Sequence, residues 1–317
     1  MKKLFILFFS VLSVCALAQE YTPDKRMRVI IDNDFSGDPD GLFQLAHHLL
    51  SPSVEICGII GSPLTPEAGF DNGGNSAEKA CQKARELMTL MKVGQDIPVV
   101  EDGASLIVRE AMHDDRRPLY VVCGAGLGSI AEAWRQRPEI AQRLTLVWIG
   151  GQEYEGTALP PPGGSKCEYN AALNIKAVQT VFNESDLRLW QVPRNAYRQC
   201  IFSLAELQRE VAPCGELGKY LTHSLALLME GMKQWTKMGE VYVLGDSPLV
   251  LLTALQTGWE ADAASSDYIV RKAPLIADDG TYQPNEQGRD IRVYTRLDTR
   301  LMFEDMMVLM GSSFRWI

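Results

Sequence analysis

An apolar stretch that breaks into acids and then turns into a helix restricts this chain more than any other feature. Arg28-Val29-Ile30-Ile31 leads into Asp32-Asn33-Asp34-Phe35-Ser36-Gly37-Asp38-Pro39-Asp40, and a helical pattern follows over 41–50. Strand, turn and helix in that order make the first unit of an α/β fold. Ligands of open α/β sheets gather at the carboxyl ends of the strands, and this unit puts Asp32, Asp34, Asp38 and Asp40 there. Like charges so close repel, and a hard cation held by oxygens is the simplest offset. The competing reading is a polar turn with a helix cap, where aspartate is common. A cap needs one acid, and this turn carries four.

Strand and helix signals alternate downstream. Strands are expected at 54–60, 98–100, 119–123, 144–149 and 187–192, with helices at 76–91, 105–112, 129–135 and 171–182. The rhythm predicts an open, mainly parallel α/β sheet with helices on both faces, finished by mixed edge strands at 267–271 and 290–295. Beyond residue 203 the pattern is more helical, with a long run near 215–235. Residues 241–244 read as one more strand of the parallel sheet, ending in Gly245-Asp246 before a helix at 248–256. On that reading the strand ends at Asp34, the glycine loop 124–128, Gly150-Gly151-Gln152 and Asp246 converge. Asp246 then completes an oxygen cage begun by Asp34, or serves as an N-cap ahead of Ser247-Pro248.

Residues 1–18 read as an export signal. Lys2 and Lys3 precede an apolar run over 4–17, and Ala16-Leu17-Ala18 has the form of a cleavage site. That leaves 19–317 as a single α/β domain, secreted or periplasmic. No later stretch is apolar enough for a membrane helix. A net charge of −9 argues against nucleic acid or an anionic membrane as partner. Export permits disulfides, with Cys200 and Cys214 the pair to expect first. Cys57 and Cys123 sit in apolar runs, where a buried free thiol is usual. With four histidines and no Cys/His metal spacing, zinc is not indicated.

Asp32 to Gly41 resembles the amino-terminal aspartate signature of the inosine-uridine nucleoside hydrolase family, in its longer variant. Further features agree in order. Gly126-Leu127-Gly128-Ser129-Ile130-Ala131 is similar to the family's glycine/proline-leucine-threonine-asparagine-isoleucine-alanine turn. Trp148-Ile149-Gly150-Gly151 is similar to its strand ending in paired glycines. Glu168-Tyr169-Asn170 resembles its glutamate-aromatic-asparagine motif, with Asn174 where an aspartate usually follows. Gly245-Asp246 resembles its late histidine-aspartate pair. The resemblance covers residues 27 to 310.

It implies a nucleoside-hydrolase-like fold and a calcium-dependent N-ribohydrolase acting on a small nucleoside or riboside, commonly as a homo-oligomer. Calcium would hold the ribose diol and the attacking water, an aspartate would take the water's proton, and the sugar would pass through an oxocarbenium-like state. By position, Asp34 and Asp246 match metal ligands, and Leu127 or Gly128 matches a main-chain carbonyl ligand. Asp40 matches the base. Glu168 and Asn170 match groups that bind ribose hydroxyls, with Asn174 beside them.

The chain departs from the pattern at two positions. Gly41 replaces a second aspartate that is a principal metal ligand, so Asp38 takes its place, or Asp40 turns to the metal and Asp38 acts as base. Gly245 replaces the histidine near the leaving base, and Tyr154, Tyr197, His223 and Trp235 are the candidate replacements. These departures also favour a second reading, a non-catalytic relative that binds ribose or calcium without turnover. A third is a phosphatase of haloacid-dehalogenase type, whose opening Asp-x-Asp resembles Asp32-Asn33-Asp34. Val250 stands where its late motif needs an acid.

Overall fold

A computed structural model describes residues 23–70, 74–258 and 265–311. The expected export segment 1–18 lies outside them. Eight strands form one sheet in the order β3-β2-β1-β4-β5-β6-β12-β9. They are β1 (Met27–Asn33), β2 (Val54–Gly61), β3 (Val99–Val100), β4 (Leu119–Cys123), β5 (Leu144–Ile149), β6 (Arg188–Val192), β9 (Asp267–Lys272) and β12 (Asp290–Arg296). All pairings are parallel except that of β9 with β12, which makes the mixed edge. β1 is buried along its whole length, as its unbroken apolar run requires of a parallel strand covered on both faces. Val29 and Ile31 face a core shared with Leu42 and Phe43 of α1 (Asp40–Leu50) and Leu87 of α2 (Ser76–Met91). Ile30 points the other way, into a core with Leu106 of α3 (Gly103–Met112) and Ile130 of α4 (Gly128–Gln136).

Three expectations are corrected. Residues 241–244 do not join the parallel sheet. The segment β8 (Val241–Val243) pairs antiparallel with β7 (Ile201–Ser203) in a separate ribbon, because β6 and β12 already pair with each other and leave it no slot. The helix expected over 171–182 breaks into Tyr169–Leu173 and Ile175–Gln179. Asn174 lies between them and accepts the Ala177 N–H at 3.0 Å, a side-chain bond that competes with continuous helix. Cys200 and Cys214 are not bridged. Cys200 is buried, while the Cys214 thiol reaches the Glu210 carbonyl at 3.0 Å. A further hairpin joins β10 (Leu275–Ile276) to β11 (Tyr282–Gln283).

The chain leaves β1 for β2 and β3 on one side, then returns to β4 on the other. That reversal opens a crevice at the carboxyl ends of β1 and β4, the place where such sheets take ligands. The turn from β1 into α1 is packed there without slack. A side chain at Gly41 would put its first carbon 2.9 Å from Asn33 Nδ2 and 3.1 Å from Asn33 Cγ. Asn33 therefore occupies the space that an acid at position 41 would need. Gly41→Asp alone should lower stability by about 1–3 kcal/mol through overpacking. Adding Asn33→Ala should recover part of that loss, read as the midpoint of thermal or urea unfolding. Losses that simply add in the double variant would show that the two side chains do not compete for one space.

Candidate active site

The acids of the β1 turn gather in a cavity of about 490 Å³. Asp34, Asp38, Asp40, Glu168, Asn170 and Asp246 all line it, with Gly124 at the end of β4 and Ile149 at the end of β5. Six of the eight residues expected at a site thus meet, from three separate stretches of chain. Gly128 and Asn174 do not line the cavity. Gly128 opens α4, and Asn174 Nδ2 lies 3.5 Å from where its side chain would start. Gly124, rather than Gly128, brings main chain to the cavity wall. Asp32 is fully buried beneath and accepts the Ser62 hydroxyl, so it ties β1 to the end of β2.

Hydrogen bonds hold the acids in register. Asp38 Oδ1 accepts the Asp40 N–H at 3.1 Å, and Asp38 Oδ2 accepts the Tyr242 hydroxyl at 2.8 Å. Asp40 Oδ2 accepts the Asp246 N–H at 3.2 Å. Asn33 donates from Nδ2 to Asp246 Oδ2 at 2.9 Å and to Gln44 Oε1 at 3.2 Å, while its Oδ1 accepts the Asp34 N–H at 2.9 Å. The relay continues inward: Gln44 Nε2 donates to His48 Nδ1, and His48 Nε2 donates to Thr253 Oγ1 at 3.0 Å. Thr253 in turn donates to the Leu249 carbonyl at 2.6 Å. These partners assign the neutral imidazole with its proton on Nε2. Burial, helped by His47, holds the His48 pKa down at about 3, so the relay stays neutral. A chain of uncharged amide, imidazole and hydroxyl groups thus braces Asp246 against α1.

Glu168 and Asn170 are held as firmly. Glu168 caps the helix Tyr169–Leu173 by accepting the Ala171 N–H at 3.1 Å, and also takes the Gly151 N–H at 2.8 Å and the Tyr197 hydroxyl at 2.9 Å. Asn170 Nδ2 donates to the carbonyls of Gly124 and Ile149, at 3.1 and 2.8 Å. Glu168 thus caps a helix, and the same residue still lines the cavity.

Burial dominates the electrostatics. It lifts the Asp34 and Asp40 carboxyls well above the usual range, and repulsion from Asp246 and Asp38 adds to this. Asp246 is pushed up to about 7, first by burial and then by Asp38, with the Asn33 amide working the other way. No Lys, Arg or His is among the described residues lining the cavity. Among the described residues, the acids lining it offer carboxylate oxygens, which suit a hard cation such as calcium. Among the described residues, however, no three His, Cys, Asp or Glu side chains already stand in a metal-ligating arrangement.

The opposite wall is apolar. Phe70, Tyr169, Tyr197, Met232, Met238 and Tyr242 line it. Of the candidates to stand in for a histidine at 245, only Tyr197 reaches the cavity. A side chain at Gly245 would begin 3.4 Å from Tyr197 Cδ2 and 3.3 Å from Asp40 Oδ2, so the ring fills the vacated space. Tyr154 is buried against Gln191 and Tyr282, Trp235 is largely exposed, and His223 is on the outer face of its helix. Sequence reading did not find Tyr242 or Asn33. The signal for Asn33 was its position between two candidate ligands; Tyr242 offered none, since its strand had been placed in the wrong sheet.

No protein-family model matches the sequence, and no curated protein matches it. Solved structures do. The inosine-uridine preferring nucleoside hydrolase of Bacillus anthracis superposes with a TM-score of 0.64 at 16% identity, covering 90% of this chain and 99% of that one. The purine-preferring ribonucleoside hydrolase of Gardnerella vaginalis gives 0.68 at 14%, covering 89% and 98%. A plant nucleoside hydrolase gives 0.64 at 13%, covering 90% and 99%. At such identities it is the fold that is shared: this chain has the α/β fold of the nucleoside hydrolases.

Proposed function

We propose that the protein hydrolyses the N-glycosidic bond of ribonucleosides or related ribosides, with calcium as its cofactor. The observation that carries this reading is the meeting of Asp34, Asp38, Asp40 and Asp246 in one cavity on a nucleoside-hydrolase fold. Asp34, Asp246 and Asp38 would hold the cation, whose charge relieves their mutual repulsion. When bound, such a cation templates a vicinal diol and makes an attacking water more acidic. Asp40 takes the proton from that water: it lies at the cavity surface with partial access to solvent, and its backbone link to Asp246 fixes its place. Glu168 and Asn170 orient the ribose. Both Asn170 amide hydrogens are already committed, so its carbonyl oxygen is the group left to accept a ribose hydroxyl. The ring of carboxylates favours the positive charge that develops on the sugar.

Export is part of the same proposal, supported by Lys2, Lys3 and the apolar run before Ala18. A second reading, binding without turnover, is favoured by Gly41 and Gly245. The difference is decided by assaying reducing sugar after incubating the protein with calcium and a panel of nucleosides. Saturable binding without sugar release would support the second reading.

Asp34→Ala should abolish both calcium retention and activity. Asp40→Asn should keep calcium bound while lowering kcat by about 10²–10⁴, the scale of a lost general base. If Asp38→Asn behaves that way and Asp40→Asn loses the metal, the two roles are exchanged. Asp246→Asn should weaken calcium binding, measured by titration calorimetry.

Calcium should also stabilise the fold in a pH-dependent way. The carboxyls of Asp34, Asp40 and Asp246 lie above their ordinary 3.8 when folded, Asp246 at about 7. The metal-free fold therefore binds protons more tightly than the unfolded chain does. Its stability from these groups is complete below 3.8 and is lost as pH rises through about 7. A cation takes over from those protons, so its effect grows with pH. Thermal unfolding should show little calcium shift near pH 5 and one of at least ~3 °C near pH 8. Equal shifts at both would argue that calcium binds elsewhere.

A further inference from the structure

The cavity is acidic at one end and aromatic at the other, and among the described residues lining it each tyrosine and amide side-chain donor already has an acceptor. The three tyrosine hydroxyls that line it already donate elsewhere, Tyr197 to Glu168 at 2.9 Å, Tyr242 to Asp38 at 2.8 Å and Tyr169 to the Ala68 carbonyl at 3.4 Å. Among the described residues lining the cavity there is no histidine, lysine or arginine. A neutral purine or pyrimidine leaves as an anion unless it is protonated, and forgoing a general acid costs about 10²–10⁴ in rate. A ring that enters with a positive charge on its glycosidic nitrogen has no such need, because it leaves neutral.

The walls suit such a ring. Phe70 and Tyr169 meet edge to face at 6.5 Å and are 40% and 42% exposed, so an aromatic surface is open at the mouth. Cations are attracted to aromatic faces. Four aspartates and Glu168 outnumber the charge of a single divalent cation, so the cavity keeps a negative field after the metal is bound. Without a cation, the carboxylates reach the mouth: after burial, Asp34, Asp38 and Asp40 push the Tyr169 pKa upward.

Resting on the ribohydrolase reading above, we propose that the preferred substrates are ribosides of cationic aromatic nitrogen rings, of which N-ribosylpyridinium is the simplest. The C1′–N bond breaks and its electron pair stays on the ring nitrogen, which departs as neutral pyridine. The water oxygen bonds to C1′, and Asp40 takes the water proton and passes it to solvent. The products are ribose, pyridine and one proton.

The test compares three kinds of substrate on the calcium-loaded full chain near neutral pH. N-ribosylpyridinium is cationic and needs no acid. Para-nitrophenyl β-D-ribofuranoside also needs no acid but is uncharged. Uridine and inosine need one. We expect kcat/KM for N-ribosylpyridinium to exceed that for uridine and inosine by at least ~10²-fold, and that for the nitrophenyl riboside by at least ~3-fold. Uridine or inosine within tenfold of N-ribosylpyridinium would overturn the proposal, and so would faster cleavage of the nitrophenyl riboside. Release from none of them would instead bring down the ribohydrolase reading, and this inference with it. Tyr169→Leu, at a half-exposed position, should raise KM for N-ribosylpyridinium about 3- to 10-fold and shift that for the nitrophenyl riboside less. Equal shifts would mean that the aromatic wall does not select for charge.

Discussion

Repulsion among buried carboxylates is the constraint that the rest of this structure answers. Asp34 and Asp40 from the first turn and Asp246 from more than 200 residues later are brought into one cavity, and burial makes each one costly to ionise. Asn33 links two of the segments that carry them. It donates to Asp246, accepts from the backbone of Asp34, and fills the space beside Gly41. A neutral amide in that space supplies hydrogen bonds where another carboxylate would add charge. Behind it, Gln44, His48 and Thr253 pass the restraint on through uncharged groups. Each buried polar atom of the relay has a partner, which is the condition for such a network to stiffen a fold rather than weaken it.

The two glycine substitutions at the site are matched by side chains from elsewhere in the chain. Asn33 takes the space at Gly41, and the Tyr197 ring packs against Gly245. The pair changes the character of the cavity in a consistent direction. An amide and a phenol occupy these two spaces, and the phenol is already bonded to Glu168. The floor carries carboxylate oxygens, and the opposite end is aromatic and apolar. A shared fold therefore does not carry a shared substrate, since the surfaces facing the leaving group are built from parts of the chain that the fold leaves free.

Much of this was legible before any coordinates. The order of apolar strands and amphipathic helices gave the parallel sheet, because side-chain periodicity is a local property of the chain. Asp34, Asp38 and Asp40 of the first turn and Asp246 were placed at strand ends, Glu168 and Asn170 by motif, and all six reached one cavity. What could not be read was pairing. Residues 241–244 look like any parallel strand, yet they join β7 in a ribbon of their own. Asn174 sits in an apolar helical pattern, yet its side chain ends one helix and caps the next. Cys200 and Cys214 are close in sequence, and Cys200 lies inside the core while Cys214 packs against the same core from outside, yet both thiols are free.

The chain by itself determined the sheet, its acid-tipped first strand and the chemistry of the floor, since these depend on residue type and on spacing between neighbours. Only the tertiary structure decided which side chains replaced the missing ones. Asn33 reaches across the turn to the space at Gly41, and Tyr197 and Tyr242 arrive from segments more than 150 residues beyond the first turn. Occupancy of a space is settled by packing between distant segments, and close-packed interiors leave a space to whichever side chain the fold brings there.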